Sequence, residues 1–268
     1  MVKRLGLLLL VCALTGAGPA ARADEFARCE TRSIQSAFDR APTQVAAKLS
    51  SGAAVKIVAF GSSSTFGTGA SSPAATYPAR LEAELGHAFP ATPVAIVNAG
   101  VVGDTAAMML ARMDQDVIAL KPDVVIWQVG TNDIEKAVPR DLLRAQIRDG
   151  LAKLRAAGSD VVLMETQWYP RLGETSDWPG YRADLRMIAA ETGSPLIQRY
   201  EMMKGWIESG LFKESDLLAA DRFHMKDMSY GCLARSVAVE LKAHAGDGPS
   251  RESVGAKSLT VGALEITP

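Results

Sequence analysis

The feature that most constrains the fold is a regular alternation of short apolar segments with longer segments of helical period. Five apolar segments rich in β-branched residues recur along the chain, at residues 55–60, 94–97, 124–129, 161–164 and 196–197. Between them, apolar side chains repeat every three or four residues, as in a helix over residues 109–120 that Pro122 stops. Strands without polar alternation are typical of a parallel sheet covered by helices on both faces.

The chain has the length of one large α/β domain. It contains 268 residues, 48% of them hydrophobic, with no Pro/Ser-rich linker and no internal repeat. We therefore predict one folded domain over residues 24–245. Residues 246–268 are expected to be a loosened C-terminal extension, of which residues 259–266 have the pattern of a docking strand.

The first 23 residues have the pattern of a secretory signal peptide. Lys3 and Arg4 precede an apolar run over residues 5–14, and Ala21-Arg22-Ala23 is an A-x-A cleavage site. The run is too short to span a bilayer, and no later apolar run approaches about 18 residues. We therefore expect a periplasmic or secreted protein without stable membrane insertion after cleavage. The alternative is an N-terminal membrane anchor.

Export affects how the cysteines are interpreted. Cleavage after Ala23 removes Cys12 and leaves Cys29 near the mature N-terminus and Cys232 in the last long helix. Two cysteines in an oxidising compartment favour one Cys29–Cys232 disulfide. Two buried free thiols are the alternative.

Charge and residue counts exclude several function classes. Lys and Arg number 29 against 30 Asp and Glu, without a basic block, which argues against nucleic-acid binding. Three His and three Cys leave few ligands for a metal site. The glycines at positions 61, 67 and 69 fit neither a dinucleotide-binding motif nor a P-loop. We expect no cofactor and no metal.

Polar clusters follow the first three predicted strands, and a fourth precedes the last helix. They occupy residues 61–67, 98–105, 130–133 and 221–224. Ligands bind at the carboxyl ends of parallel strands, so we expect these clusters to share one edge of the sheet. Within them, Asp104 is interpreted as the N-cap of a helix beginning at Thr105, and Asp133 as part of an ordinary polar turn.

The clusters contain the groups that nucleophilic hydrolysis requires. Asp221 and His224 are spaced i, i+3, so the carboxylate can orient the imidazole as the base for a serine. The backbone N–H groups of Ser63 and Gly103 and the side-chain amide of Asn132 are candidate oxyanion donors. The other histidines, at positions 87 and 244, are expected at the surface.

These four blocks, in this order, resemble those of SGNH hydrolases, the GDSL esterase/lipase superfamily. The resemblance assigns the family's Ser, Gly, Asn and His to Ser63, Gly103, Asn132 and His224, with Asp221 completing the catalytic triad. It implies a three-layer αβα sandwich with a five-stranded parallel sheet in the order 2-1-3-4-5. It also implies ester hydrolysis through an acyl-serine intermediate, without a cofactor.

The first block departs from the family pattern. Ser62 stands where the family's Gly-Asp-Ser motif has its aspartate. The family's aspartate is not the triad acid, so the machinery is retained, but the bracing of the nucleophile must differ. Ser63 keeps the Gly-x-Ser spacing and the distance to Gly67, and Ser62 and Ser64 remain alternative nucleophiles.

The resulting hypothesis is an exported serine esterase for short-chain, including acetyl, esters of small molecules or glycans. Gln167 and Trp168, just after the fourth predicted strand, are candidates for lining the substrate pocket. One alternative is an acyltransferase acting on an envelope glycan. Another, left open by Ser62, is a non-catalytic protein that binds acylated glycans.

Overall fold

All five predicted strands form, and together they make one parallel sheet. The computed structural model describes residues 26–30, 36–174 and 177–245, so the predicted signal peptide and C-terminal extension lie outside it. The strands are β1 (Val55–Gly61), β2 (Val94–Gly100), β3 (Val124–Gln128), β4 (Asp160–Met164) and β5 (Leu196–Ile197). Their order in the sheet is β2-β1-β3-β4-β5, the order that the family resemblance implies.

The register of the sheet brings three strand ends to one edge. Gly61 at the end of β1 pairs with Gly100 at the end of β2, and Phe60 pairs with Trp127 near the end of β3. The chain leaves β1 toward β2 on one side and then crosses to β3 on the other. This reversal of strand order opens a crevice at the carboxyl ends of β1 and β3, where ligands bind in such sheets.

Ten α-helices connect or cover the strands over the described residues. They are α1 (Thr43–Ser50), α2 (Ser63–Phe66), α3 (Tyr77–Ala88), α4 (Ala106–Asp116), α5 (Thr131–Glu135), α6 (Arg140–Ala156), α7 (Trp178–Thr192), α8 (Arg199–Glu208), α9 (Glu214–Leu217) and α10 (Asp227–Ala243). Among them there is none with both the length and the apolar character needed to cross a membrane.

Helices cover both faces of the sheet and make it the middle of three layers. On one face α10 packs against α1 and α3, while on the other α6 packs against α4 and α7. Trp127 of β3 is fully buried on the second face, where its Nε1 lies 3.2 Å from the sulfur of Met109. Gly150 lets α6 approach, because a Cβ there would lie 2.3 Å from the Trp127 ring.

One predicted helix is shorter than its periodicity indicates. The helix expected over residues 109–120 ends at Asp116, and a separate 3-10 turn, Ile118–Leu120, follows it. Lys121 then takes a left-handed conformation, with φ of 49°. A residue before proline is disfavoured in the right-handed helical region, which explains why the chain leaves the helix ahead of Pro122.

The predicted disulfide is present. Cys29 and Cys232 are bonded, with Cα atoms 5.2 Å apart and a sequence separation of 203. Phe26, close by in the N-terminal segment, packs on α10 at Gly231, where a Cβ would come within 2.2 Å of the phenyl ring. The bond therefore fixes the N-terminal segment to the helix that follows the Asp221–His224 cluster.

Removal of the disulfide should destabilise the fold strongly. A cross-link that closes a loop of about 200 residues restricts the unfolded chain by up to about 5 kcal/mol in the chain-entropy description. We expect the Cys29→Ser/Cys232→Ser variant to lose about 2–5 kcal/mol in the free energy of unfolding, measured by urea titration. Reductant should bring the wild type to the midpoint of the variant and leave the variant unchanged. Equal midpoints without reductant would contradict the prediction.

A second prediction concerns the ion pairs between α6 and α7. The side chain of Asp184 is 10% exposed and accepts hydrogen bonds from Arg140, at 2.7 and 2.9 Å, and from Arg144 at 3.0 Å. The bonds from Arg140 contribute most, and with those from Arg144 they lower the pKa of Asp184 despite its burial. Its stabilisation is therefore complete above the unfolded-state pKa near 3.9 and is lost as the pH falls through the folded-state value.

Asp184→Asn should accordingly cost about 1–3 kcal/mol of unfolding free energy at pH 7. The difference from the wild type should shrink as the pH falls below about 4, because the wild-type carboxylate becomes protonated. Chemical unfolding of both proteins between pH 7 and a pH below about 4 measures this difference in unfolding free energy. Asp114→Asn is the matched control, since that side chain is 73% exposed and lies 3.6 Å from Lys153. A cost for Asp184→Asn that does not change with pH would refute the electrostatic explanation.

Candidate active site

Ser63, His224 and Asp221 form a hydrogen-bonded chain at the carboxyl edge of the sheet. Ser63 begins α2, directly after β1, and its Oγ lies 3.1 Å from Nε2 of His224. Nδ1 of the same ring lies 2.5 Å from Oδ2 of Asp221. The imidazole thus has the serine on one nitrogen and the carboxylate on the other, which is the arrangement of a nucleophile, its base and the group that orients the base.

The turn that carries the aspartate and the histidine is held by its own backbone. Oδ1 of Asp221 accepts the N–H groups of Phe223 and His224, each at 3.0 Å. Partial burial opposes the charge on Asp221, but the hydrogen bond from the His224 ring and these backbone bonds outweigh it and lower the pKa of the carboxyl. The carboxylate therefore stays ionised in mildly acidic solution, where it continues to orient the ring.

The same turn contains one of the three non-glycine residues with positive φ in the described part of the chain. Arg222 has φ of 54°, in the left-handed region that a residue with a Cβ rarely adopts. Its side chain is fastened outside the turn by Glu214, whose Oε1 lies 2.6 Å from Nε of Arg222. A non-glycine residue in this region costs of order 1–3 kcal/mol, and strain of this kind is common at functional sites.

The side chain of Asn132 bonds to the residue that follows Gly103, which brings the two candidate oxyanion donors into the same part of the site. Nδ2 of Asn132 donates at 2.8 Å to the carbonyl of Asp104, the residue that follows Gly103, and this bond fixes the orientation of the amide. Gly103 has φ of +84°, and a Cβ added there would meet open space. Glycine at this position thus serves the backbone conformation and leaves the space beside it free.

The N-terminus of α4 differs from the predicted capping. The expectation that Asp104 caps a helix beginning at Thr105 is wrong, because α4 begins at Ala106 and Asp133 accepts the Ala106 N–H at 3.1 Å. Asp133 is fully buried, and this burial raises the pKa of its carboxyl. Asp104 instead binds Nε of Arg112 at 2.6 Å.

Gln128 takes over the bracing of the serine-bearing loop, which we call the nucleophile loop (residues 61–67). Its Oε1 accepts the N–H of Ser62 at 2.8 Å and the hydroxyls of Ser62, Ser64 and Thr65 at 2.9, 3.2 and 3.3 Å. The hydroxyls of Ser62 and Ser64 are therefore engaged below the site, whereas that of Ser63 faces His224. Ser62 stands where the related motif has aspartate, and its contacts are supplied by a neutral amide at the end of β3.

Gln167 and Trp168, which are expected to line the substrate pocket, differ in exposure in the structure. Gln167 is fully buried; its Nε2 donates to the Phe223 carbonyl at 3.3 Å, and its Oε1 accepts from Nη2 of Arg199 at 3.1 Å. Its amide thus bonds to protein groups beneath the histidine loop (residues 221–225). Trp168 is partly buried against the hydrophobic core.

Two buried polar residues near the site were missed from the sequence. Gln128 and Arg199 are both fully buried, and burial lowers the pKa of Arg199 to about 10, which leaves it protonated at neutral pH. Each had a signal, because Gln128 is the last residue of β3 and Arg199 follows β5 by two residues, at the edge where ligands bind. Polar residues after the fifth strand should therefore be considered as candidate site residues, as those after the other strands are.

Apolar side chains are exposed beside the candidate oxyanion position. Phe66 at the end of α2 is 55% exposed, and Val101 and Val102, just before Gly103, are 41% and 55% exposed. Asn98 joins the two segments, since its Nδ2 donates to the Phe66 carbonyl at 3.3 Å. The site therefore has an apolar rim, formed by Phe66, Val101 and Val102, suited to a small hydrophobic group.

Comparison with known proteins gives one family and several esterases. A family model described as the non-GDSL lipase-like family matches residues 28–246. An arylesterase from Vibrio mimicus is 26% identical over 151 residues, covering 56% of this chain and 72% of the relative. An acetylxylan esterase from Geobacillus stearothermophilus is 28% identical over 195 residues, covering 68% of this chain and 84% of the relative.

Solved structures share the fold. A two-domain esterase active on acetylated mannans aligns with a TM-score of 0.65 at 19% identity, covering 84% of this chain and 57% of that chain. This chain thus spans little more than half of the two-domain protein. The acetylxylan esterase from Geobacillus stearothermophilus aligns with a TM-score of 0.58 at 24% identity, covering 70% and 94% of the two chains.

Proposed function

Since this chain belongs to the non-GDSL lipase-like family and is a carboxylic ester hydrolase of the SGNH type, we propose that it is an exported serine esterase acting on short-chain acyl esters. The observation that carries the proposal is the hydrogen-bonded chain from Asp221 through His224 to Ser63, with distances of 2.5 and 3.1 Å. A serine with a base and an orienting carboxylate in this order is activated as a nucleophile.

The first half of the reaction forms an acyl-serine. Oγ of Ser63 attacks the ester carbonyl while its proton passes to Nε2 of His224, and Asp221 stabilises the resulting imidazolium through Nδ1–H. The carbonyl oxygen becomes an oxyanion in the tetrahedral intermediate. As the bond to the leaving oxygen breaks, His224 returns the proton to the departing alcohol and the acyl group remains on Ser63.

The second half repeats these steps with water. His224 takes a proton from a water molecule that attacks the acyl carbonyl, and it then protonates Oγ of Ser63 as the carboxylic acid leaves. In both halves the oxyanion is held by the N–H groups of Ser63 and Gly103 and by the Asn132 amide. One amide hydrogen of Asn132 bonds to the Asp104 carbonyl, and the second remains for the oxyanion because an amide carries two.

For the substrate we propose an acetyl or similarly short acyl group on a carbohydrate or aryl alcohol. The relatives named above include an arylesterase and an acetylxylan esterase, and a structural neighbour is active on acetylated mannans. The apolar rim of Phe66, Val101 and Val102 offers contact for a small acyl or aromatic group. A long acyl chain would need a more extended apolar surface.

The proposed export rests on the N-terminal pattern and on the disulfide. A charged segment, a ten-residue apolar run and an A-x-A site precede residue 24. The Cys29–Cys232 bond agrees with an oxidising compartment, where disulfides form and persist. We place the catalytic domain at residues 24–245, in the periplasm or secreted.

The first experiment treats the mature protein with a fluorophosphonate beside its Ser63→Ala variant. Mass spectrometry of the intact protein and of its peptides should find one adduct, on Ser63, that the variant lacks. An adduct on Ser62 or Ser64 would keep the enzyme class and move the nucleophile. Absence of any adduct would refute the acyl-serine mechanism and favour a binding protein for acylated glycans.

The second experiment measures the acyl-chain preference with p-nitrophenyl acetate, butyrate and octanoate. We expect kcat/KM to be highest for acetate or butyrate, and acetylated xylan to release acetate. A preference for octanoate would contradict the proposed substrate class without affecting the proposed nucleophile.

A further inference from the structure

Arg199 lies fully buried behind the candidate triad, and each of its three guanidinium nitrogens donates a hydrogen bond. Nε donates to the Glu165 carbonyl at 3.0 Å, Nη1 to Oγ of Ser64 at 2.8 Å, and Nη2 to Oε1 of Gln167 at 3.1 Å. Nη1 also lies 3.9 Å from the sulfur of Met225. One rigid planar group therefore bonds to several parts of the chain at once.

These contacts connect the two halves of the triad. Ser64 follows Ser63 in the nucleophile loop. Gln167 connects Arg199 to the histidine loop, because its Nε2 donates at 3.3 Å to the carbonyl of Phe223, one residue before His224. Met225 is the residue after His224, so the histidine loop is contacted on both sides of the ring-bearing residue.

In the bonds described above, the guanidinium of Arg199 donates to neutral acceptors and not to a carboxylate. The buried carboxylate of Glu165 pairs with Arg182 at 3.1 Å and Arg186 at 2.8 Å, and it offers Arg199 its backbone carbonyl. Burying a guanidinium in this way costs free energy, which an apolar side chain of similar length would avoid. What the guanidinium adds is a fixed fork of donors, which an apolar side chain lacks.

We propose that Arg199 is a positioning residue that sets the distance between Ser63 and His224, by holding the nucleophile loop through Ser64 and the histidine loop through Gln167 and Met225. This rests on the proposed esterase function. Arg199 does not touch the reacting atoms; it acts through Ser64 and Gln167. Because a misplacement of about 1 Å can cost on the order of 100-fold in rate, loss of either arm should slow the chemical step.

The test compares Ser64→Ala, Gln167→Leu, the double variant and Arg199→Lys with the wild-type protein. Four quantities are measured: the second-order rate of fluorophosphonate labelling, kcat and KM for p-nitrophenyl acetate, and Tm. We expect kcat and the labelling rate to fall about 10- to 100-fold in each, with KM changed less than about threefold. Arg199→Lys keeps the charge but loses the fork, so it should not retain wild-type rates.

Two comparisons separate a bridge from simple core support. A bridge fails when either end is released, so the double variant should be little slower than the slower single variant; additive losses would overturn the proposal. Gln167→Glu keeps the acceptor for Arg199 but loses the donor to the Phe223 carbonyl, so it should be as slow as Gln167→Leu. Wild-type rates in Gln167→Glu would mean that Gln167 only accepts a hydrogen bond from Arg199. That result would also overturn the proposal.

A control variant addresses stability. Arg144→Met removes a guanidinium that binds Asp184 between α6 and α7, and it should lower Tm without changing the labelling rate. If Gln167→Leu labels at the wild-type rate, the positioning role is refuted while the esterase proposal stands. If the wild-type protein itself does not label, the esterase proposal fails and the inference fails with it.

Discussion

Alanine in place of Ser63 or of His224 should each lower kcat by about 10⁵- to 10⁶-fold, and the double variant should lose little more. The reason is geometric: Oγ of Ser63 lies 3.1 Å from Nε2 of His224, so neither residue is an effective nucleophile or base without the other. Groups that act as one unit give strongly non-additive losses. Steady-state hydrolysis of p-nitrophenyl acetate measures the effect.

Asp221→Asn should be less damaging and should lower kcat by about 10⁴-fold. The asparagine retains a partner for the ring but no longer favours the tautomer and the imidazolium that the carboxylate supports. Since hydrogen bonds keep the pKa of Asp221 below its ordinary value, the wild-type carboxylate should not itself limit activity between pH 5 and 8.

Two variants control for the change of residue type. Ser159→Ala removes a buried serine whose hydroxyl donates to the Pro122 carbonyl at the opposite end of the sheet. His87→Ala removes a histidine from the last turn of α3. Both should keep wild-type turnover. Additive losses in the Ser63/His224 pair, or full activity in Ser63→Ala, would argue against the assigned triad.

The strand pattern was enough to predict the sheet because each strand is short, apolar and followed by a polar cluster. The order β2-β1-β3-β4-β5 came from the family resemblance, and the structure has the same order. The sequence also predicted that the helix ends before Pro122, although α4 already ends at Asp116. These features depend on neighbours in sequence, which a pattern records directly.

The polar network behind the site could not be predicted in the same way. Asp104 stands two residues before α4 and was the obvious cap, yet the helix is capped by Asp133, 27 residues away in sequence. Gln128 and Arg199 were missed although both stand at the carboxyl edge of the sheet, and their partners are set by packing between strands and loops. Which hydroxyl or amide a buried donor meets depends on three-dimensional proximity, which spacing along the chain does not record.

The network also explains why Ser62 is compatible with an active site. Ser62 donates both its N–H and its hydroxyl to Oε1 of Gln128. An aspartate at this position would bring a carboxylate against that amide oxygen, and Nε2 of Gln128 is already directed to Oγ1 of Thr131 at 3.1 Å. The serine is therefore matched to a glutamine at the end of β3, and the pair should be considered together.

The second large effect is expected at Asn132. Asn132→Ala should lower kcat by about 10²- to 10³-fold, or roughly 3–4 kcal/mol in transition-state free energy, with a smaller change in KM. Its amide is held at 2.8 Å by the carbonyl of Asp104, the residue after Gly103, so it is already oriented before the oxyanion forms. Such preorganised donors contribute mainly when negative charge develops on the carbonyl oxygen.

Fluorophosphonate labelling gives an independent measurement of the same role, because the phosphonyl oxygen also gains negative charge as Ser63 attacks. The labelling rate of Asn132→Ala should fall in parallel with kcat. Asn132→Asp should be at least as slow, since a carboxylate removes the donor and places a negative charge where the oxyanion forms. Unchanged turnover in Asn132→Ala would remove Asn132 from this role and leave the N–H groups of Ser63 and Gly103 to stabilise the oxyanion.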